Sequence, residues 1–220
     1  MVTQAMHILF LTDNFPPEVN APATRTFEHC REWVAAGHKV TVITCAPNFP
    51  RGEVFTGYRN RLLGSREAMA GIDVRRVWTY ISANEGFLKR TIDYASFLNA
   101  VLPAVASVPD VDIIVATSPQ LFAPLAARIA GAARGCPYVF ELRDLWPESI
   151  RAVGAMRNER ILGALESLEM SLYHRAAAIV SVTNAFVENL TQRGVPRDKL
   201  HVVTNGADLS RFRPRDRDEA

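Results

Sequence analysis

The sequence has few cysteines and no motif that would bind a metal. Cys30, Cys45 and Cys136 are far apart and form no CxxC pair. We therefore expect reduced thiols, with neither a disulfide framework nor a zinc site. The histidines are equally scattered and show no HExxH spacing. The sequence therefore predicts no metal and no metal-dependent chemistry.

Long apolar runs and a strong charge imbalance are also missing. No run reaches the roughly 18 apolar residues of a membrane-spanning helix, and the N-terminus has no basic segment typical of a signal peptide. The formal net charge of +2 is too small to indicate a nucleic-acid partner. With 48% hydrophobic and 22% charged residues, the chain has the composition of a soluble globular protein. We expect it to be cytoplasmic.

Strand-like and helix-like segments alternate along nearly the whole chain. The predicted strands are 7–12, 39–44, 72–77, 112–116, 138–142, 178–182 and 200–203. The predicted helices are 22–36, 88–106, 119–134, 157–174 and 184–193, and residues 45–70 are predicted to be irregular. This order predicts an α/β, Rossmann-like open sheet, mostly parallel, of about seven strands with helices on both faces. We expect one domain over 1–205 and the start of a linker at 206–220.

The first loop, NFPPEVNAPATR at residues 14–25, is polar and contains no glycine. It follows a strand, where ligands bind in open parallel sheets. The helix N-terminus after it favours a phosphate, which Arg25 could clamp. A proline-stiffened surface loop capped by Asn20 would explain the same residues. Because the prolines hold many polar groups rigidly, we favour a binding role for Asp13, Asn14, Glu18, Asn20 and Arg25.

A second polar segment, ELRDLWPES at residues 141–149, also follows a predicted strand. Arg143 could keep Asp144 ionised, so that Asp144 positions or deprotonates a hydroxyl group. Trp146 could stack on a sugar ring or a lipid, and Glu148 belongs to the same segment. The alternative is an Arg–Asp ion pair that closes a loop, with Trp146 in the core. The place directly after a strand favours the functional interpretation.

Three weaker signals come from Ser118, from Asn48 and from the segment 51–90. Ser118 precedes a proline and is expected to cap a helix, so a substrate contact is its secondary interpretation. Asn48 follows the second strand, where an acceptor could pass. Residues 51–90 contain eight lysines and arginines against four acids. This excess could contact an anionic membrane surface, although a solvated basic face explains it equally well.

Four segments of the chain resemble the N-terminal half of a GT-B glycosyltransferase. They are LTDNFPPEVNAPATRTFEHCREWVAAGHKVTVIT, CAPNFPRG, ELRDLWPES and VVTNGADLSRFRP. More narrowly, they are similar to the retaining enzymes of family 4, and among these to bacterial transferases that build N-acetylated 6-deoxysugars into capsule or O-antigen. PPEVNAPATR and RDLWPES are typical of that subgroup, while NGADLSRFRP is typical of the wider family's passage between domains.

The resemblance implies two Rossmann-like domains that face each other across a cleft. The N-terminal domain mostly binds the acceptor, a glycan or lipid-linked sugar, and the C-terminal domain binds the nucleotide sugar, here a UDP-sugar. The loop around Asn14–Arg25 then lies beside the donor diphosphate and the acceptor. Many members carry Gly-Gly there, where this chain has Asn20-Ala21-Pro22. Arg143 or Asp144 takes a position at which other branches carry a histidine facing the transferred sugar.

The family uses no metal, and its donor-holding carboxylate pair belongs to the second domain. We expect that domain to be absent from this chain, which would then transfer sugar poorly or not at all. An NAD-dependent sugar-nucleotide oxidoreductase or epimerase is the alternative enzyme. It is disfavoured because the first loop has no GxGxxG and no acid follows the strand ending at Thr44. A non-catalytic module that binds a glycolipid stays open.

Overall fold

The computed structural model describes residues 4–82, 87–118, 120–152, 154 and 158–206. The predicted linker therefore lies outside the described residues, apart from Gly206. The elements in chain order are β1 (His7–Leu11), α1 (Ala21–Ala35), β2 (Lys39–Cys45), β3 (Ser65–Met69), β4 (Ile72–Val77), α2 (Phe87–Ala106), β5 (Ile113–Thr117), α3 (Phe122–Arg134), β6 (Tyr138–Leu142), α4 (Glu148–Ala152), α5 (Glu159–Arg175), β7 (Ala178–Ser181), α6 (Asn184–Gln192) and β8 (Leu200–Val202).

The described residues form one eight-stranded sheet in the order β3-β4-β2-β1-β5-β6-β7-β8. Every neighbouring pair is parallel except β3 and β4, which are antiparallel. The predicted α/β, mostly parallel sheet is thus confirmed, with one strand more than expected. The extra strand, β3, lies in the segment predicted to be irregular. Its sequence SREAM is largely exposed and has no apolar alternation that would have revealed it.

Helices cover both faces of the sheet, so both faces are buried. Leu9 and Leu11 of β1 face a core that is completed by α2, α3, α5 and α6. Ile8 and Phe10 face the opposite core, to which α1 contributes Cys30. Helices on both faces are therefore confirmed, and a strand that is apolar at every position, such as HILFL, is what this arrangement needs.

The start of α1 agrees with the prediction, whereas the start of α3 does not. Asn20 is the N-cap of α1, and its side-chain oxygen accepts a hydrogen bond from the N–H of Ala23 at 2.8 Å. The N-cap of α3 is Leu121, which makes no side-chain capping bond. The prediction that Ser118 caps this helix is therefore wrong. The helix begins later, and the Ser118 hydroxyl binds elsewhere.

Gly131 of α3 lies where the helix passes closest to the loop that enters β6. A Cβ atom at this position would come within 2.7 Å of the carbonyl oxygen of Cys136. We expect Gly131→Ala to lower the free energy of unfolding by about 1–3 kcal/mol, because the contact is with backbone that cannot turn away. Urea denaturation measures this loss. Gly163→Ala in α5 is the control, since its Cβ would meet nothing within 4 Å. It should be neutral or stabilise by up to about 1 kcal/mol.

Candidate functional site

The strand order reverses between β1 and β5. From β1 the chain continues to β2 on one side, and after β4 it returns to β5 on the other side of β1. In open α/β sheets, ligands bind at the carboxyl ends of the strands beside such a reversal. Asp13 follows β1 and Ser118 follows β5, so these two predicted site residues flank the reversal.

A cleft of ≈ 200 Å³ opens at this edge of the sheet, between the loops after β1 and β2 and the first turns of α2. We name it the acidic cleft, after the carboxyl groups of Asp13, Glu18 and Asp93 that line it. It brings together five of the predicted site residues from two separate loops: Asp13, Asn14, Glu18, Asn20 and Asn48. Their contact with a substrate stays a prediction.

Glu18 joins the two loops that form one wall of the cleft. Its Oε1 accepts hydrogen bonds from the backbone N–H groups of Asn48 and Phe49, at 2.7 and 2.8 Å. Its Oε2 is buried and has no hydrogen-bond partner in the described part of the chain. The side chain as a whole is only 3% exposed. One oxygen therefore holds the wall together, while the other is a buried acceptor without a partner among the described residues.

Asn20 combines a structural role with a place in the cleft. While its oxygen caps α1, its Nδ2 donates to Oδ1 of Asn14 at 2.7 Å. The Asn14 backbone is in turn held by Thr12, whose Oγ1 accepts from the Asn14 N–H at 3.2 Å. The structural and the functional interpretation of this loop are thus compatible, because capping α1 fixes the amide groups at the cleft.

Crowding of carboxyl groups changes their protonation. Burial and, to a lesser extent, the charge of Asp13 together raise the pKa of Asp93 to about 7, against the opposing charge of Arg90. Burial also raises the pKa of Asp13, although a hydrogen bond with Asn14 opposes it. The pKa of Glu18 is likewise raised by burial, against the bonds from Phe49 and Asn48. Around neutral pH the carboxyl group of Asp93 is therefore only partly ionised.

The contribution of α2 to the cleft was missed in the sequence. Arg90, Asp93 and Tyr94 line it from one face of this helix, at positions i, i+3 and i+4. Nη2 of Arg90 donates to the Tyr94 hydroxyl at 2.9 Å, and its guanidinium lies over the ring, 5.8 Å from the centroid. The charge excess over 51–90 predicts Arg90 on a basic surface, whereas the structure places it in the cleft. The available signal was the i, i+3, i+4 spacing of Arg90, Asp93 and Tyr94 in a helix whose second half is mostly apolar.

Arg25 lies with Glu141 in a second, buried group of charges. Its Nη2 is 2.9 Å from Oε1 of Glu141, and its Nη1 donates to Oδ1 of Asn205 at 2.8 Å. His29 approaches the same carboxylate at 3.7 Å, and its pKa is lowered mainly by burial. Arg25 is only 9% exposed, and it is not one of the described residues that line the acidic cleft. Its guanidinium already binds Glu141 and Asn205. The binding of a phosphate by Arg25 stays a prediction.

Ser118 holds the start of the RDLWPE segment. Its Oγ accepts hydrogen bonds from the backbone N–H groups of Arg143, at 2.8 Å, and Asp144, at 3.3 Å. The Arg143 side chain lies near Arg25. Burial lowers its pKa, and the charge of Arg25 lowers it further. Its Nη1 is buried and has no hydrogen-bond partner among the described residues. A buried guanidinium nitrogen of this kind can receive an anionic group.

Trp146 and Glu148 lie apart from the acidic cleft. Trp146 packs against the core that contains Leu9 and Leu11. Glu148 begins α4 and lines a separate recess with Arg151 and Arg193. The structure therefore does not bring these two predicted residues together with the residues of the cleft. No three His, Cys, Asp or Glu side chains in the described ranges are grouped as a metal site would need.

Sequence comparison identifies relatives of the chain. Residues 20–206 match the family model described as "Glycosyl transferase 4-like domain". The chain is 24% identical over 213 residues to the "Putative colanic acid biosynthesis glycosyl transferase WcaI" of Escherichia coli (strain K12). That match covers 94% of this chain and 52% of the relative, so the chain spans about half of the relative's length.

Solved structures show the same fold. A sucrose-phosphate synthase from Thermosynechococcus elongatus superposes with a TM-score of 0.64 at 11% identity, over 95% of this chain and 50% of that one. Anabaena HepE, solved in complex with UDP-glucose, superposes with a TM-score of 0.56 at 17% identity, over 93% of this chain and 45% of that one. At such identities the likeness shows the fold alone, shared with about half of each protein.

Proposed function

Because the chain belongs to the glycosyl transferase 4-like family, of GT-B fold, we propose that it is the acceptor-binding half of a retaining glycosyltransferase. In this proposal the enzyme moves a hexose-type sugar from a UDP-sugar to a glycan or a polyprenyl-linked sugar in cell-surface polysaccharide synthesis. The name of the colanic acid relative supports the polysaccharide role. The UDP-glucose bound to the HepE neighbour supports the donor class.

The acidic cleft is the observation that carries the proposal. Three carboxyl groups line it, and Oε2 of one of them, Glu18, is buried without a hydrogen-bond partner among the described residues, whereas its one lining cation in the described residues, Arg90, already binds Tyr94. Such a cleft repels a phosphate and accepts hydrogen bonds from hydroxyl groups. It therefore suits the sugar of an acceptor, with Asp13, Asn14, Glu18, Asn20 and Asn48 as its contacts.

Arg143 and Asp144 are our proposed catalytic residues on the other side of the strand reversal. The free Nη1 of Arg143 suits the negative charge that develops on the leaving diphosphate. Asp144, held by Ser118 through its backbone, would face the transferred sugar. No cofactor takes part in this proposal. The donor is held mainly by a second domain, so the chain alone should be inactive.

Calorimetry with two ligands tests the proposed function. We expect a short-chain polyprenyl-diphosphate sugar to bind the chain, and NADH not to bind. Glu18→Gln and Asp13→Asn should each weaken acceptor binding by about tenfold, because each replaces a charged hydrogen-bond acceptor. Glu188→Gln on the exposed side of α6 is the matched control and should bind like the wild type. Tight NADH binding, or unchanged affinity in both cleft variants, would refute the proposal.

A polyprenyl-linked acceptor also places the enzyme at a membrane. No helix of the described ranges is long and apolar enough to cross a bilayer. We therefore propose a cytoplasmic protein that touches the inner face of the membrane peripherally, through the region 51–90 predicted from the charge excess.

A further inference from the structure

The loop before β3 ends in a tight turn with two leucines at its centre. The N–H of Gly64 donates to the carbonyl oxygen of Arg61 at 2.9 Å, which leaves Leu62 and Leu63 as the central residues of the turn. Their side chains are 81% and 101% exposed. Central turn positions favour glycine, proline, asparagine, aspartate and serine. Two adjacent, fully exposed leucines there are unusual for a surface that faces only water.

The turn is held in place by its neighbours. Asn60 donates to the carbonyl oxygen of Thr79 at 2.7 Å and accepts from the Thr79 N–H at 3.2 Å. At Gly64, with φ +68°, an added Cβ would come within 2.6 Å of the Arg76 carbonyl oxygen. This close contact requires glycine and sets the turn directly against β4. The leucines are therefore presented by a fixed element.

The turn lies at the edge of the sheet where the acidic cleft opens. Ser65, the first residue of β3, pairs with Arg76, near the carboxyl end of β4. The acidic cleft lies beyond the carboxyl ends of β1 and β2, which are parallel to β4. A surface that contacts the leucines therefore meets the protein at the edge where the cleft opens.

The structure redefines the basic surface expected over 51–90. Arg66 and Arg75 pair with Asp73, and Arg76 is only 3% exposed and pairs with Glu67. By contrast, Arg59 and Arg61 are exposed and make no ion pair within the described residues. These two arginines stand directly beside Leu62 and Leu63. We call residues 59–63 the leucine turn.

We propose that the leucine turn seats the protein on an anionic lipid bilayer, with Leu62 and Leu63 in the head-group region and Arg59 and Arg61 on lipid phosphates. An apolar tip flanked by free cations matches the apolar interior and anionic surface of such a bilayer. The biological purpose of this membrane contact rests on the proposed function: it would let a lipid-linked acceptor reach the cleft from the membrane.

Vesicle sedimentation tests the proposal. The wild-type chain should bind vesicles of phosphatidylglycerol and phosphatidylcholine, and 0.5 M salt should weaken this binding, since salt screens the arginines (about 3–4 Å Debye length). Arg59→Gln/Arg61→Gln should lower the partition coefficient on these vesicles about 20-fold. Leu62→Ser/Leu63→Ser should lower it at least about tenfold by removing apolar contact. The control Ile129→Ser/Ile161→Ser, which changes two half-exposed isoleucines of α3 and α5, should bind like the wild type.

Three results would overturn the bilayer assignment. The wild type could fail to sediment with the vesicles, or the leucine variant could bind like the wild type. Alternatively, sedimentation velocity without lipid could show a dimer that Leu62→Ser/Leu63→Ser dissociates, which would assign the turn to a protein contact. None of these results alters the calorimetric test, because a soluble short-chain acceptor reaches the cleft without a membrane.

Discussion

Replacing Glu141 by glutamine is expected to lower the free energy of unfolding by about 3 kcal/mol. The Glu141 carboxylate is buried, and its Oε1 lies 2.9 Å from Nη2 of Arg25. Arg143 lies close enough for its pKa to respond to the charges of both Arg25 and Glu141. Without the carboxylate, two poorly solvated guanidinium groups face each other with no counter-charge. For a chain of this size, such a loss lowers the melting temperature by about 6–12 °C.

Thermal and urea denaturation measure this effect, with two further variants as references. Glu32→Gln removes a carboxylate that is 68% exposed and pairs with Arg31 on the surface, so it should change stability by less than about 1 kcal/mol. Arg25→Met combined with Glu141→Gln removes both charges of the buried pair and should recover part of the loss. If Glu141→Gln alone is as stable as Glu32→Gln, the carboxylate does not neutralise the arginines.

Asp93→Asn is expected to stabilise the protein above neutral pH and to remove much of its pH dependence. The pKa of Asp93 rises from an ordinary value of 3.8 to about 7 in the folded protein. Between these values the folded state binds more protons than the unfolded state, so stability falls as the pH rises from about 4 to about 7. Above about pH 7, Asp93 is ionised in the folded protein, and its buried charge near Asp13 lowers the free energy of unfolding. Asparagine carries no charge and removes this loss.

At about pH 8, Asp93→Asn is expected to raise the free energy of unfolding by about 1–2 kcal/mol. This is less than the full pKa shift implies, because Asp93 is partly solvated. Urea unfolding at several pH values measures this gain in the free energy of unfolding. Asp198→Asn, in the exposed turn after α6, is the control. The wild-type and Asp93→Asn curves should converge near pH 4 and separate toward pH 8 (about the range of the titration). Parallel curves over the whole range would show that Asp93 titrates normally.

Local pattern was sufficient to predict the sheet and most of one wall of the cleft. Short runs such as HILFL and KVTVITC, rich in apolar and β-branched residues, favour strands buried on both faces, and the helices between them favour parallel pairing. Parallel strands end at one edge, and Asp13 and Asn48, which follow β1 and β2, therefore lie at the same edge of the sheet. The capping role of Asn20, which was the alternative to the favoured binding role, is confirmed, because the capping signal lies within a few residues.

Long-range pairing could not be predicted in this way. The partners of Arg25 are Glu141 and Asn205, residues far away in the sequence with no local feature that identifies them. Arg76 was counted as a surface charge, although it is buried against Glu67 across the one antiparallel pair. Ser118 resembled a helix cap but binds the backbone of Arg143 and Asp144 instead. In each case the tertiary partner outweighed the local preference of the residue.

Helix α1 connects the wall of the acidic cleft to the last described residues of the chain. At its N-terminus, Asn20 binds both the first turn of the helix and Asn14 at the cleft. One turn later, Arg25 binds Asn205, which directly precedes Gly206, the last described residue. The contact with Asn14 and the contact with Asn205 are therefore both made by the first two turns of α1. Asn14 at the cleft and Asn205 near the last described residue are thus both positioned by the same end of one helix.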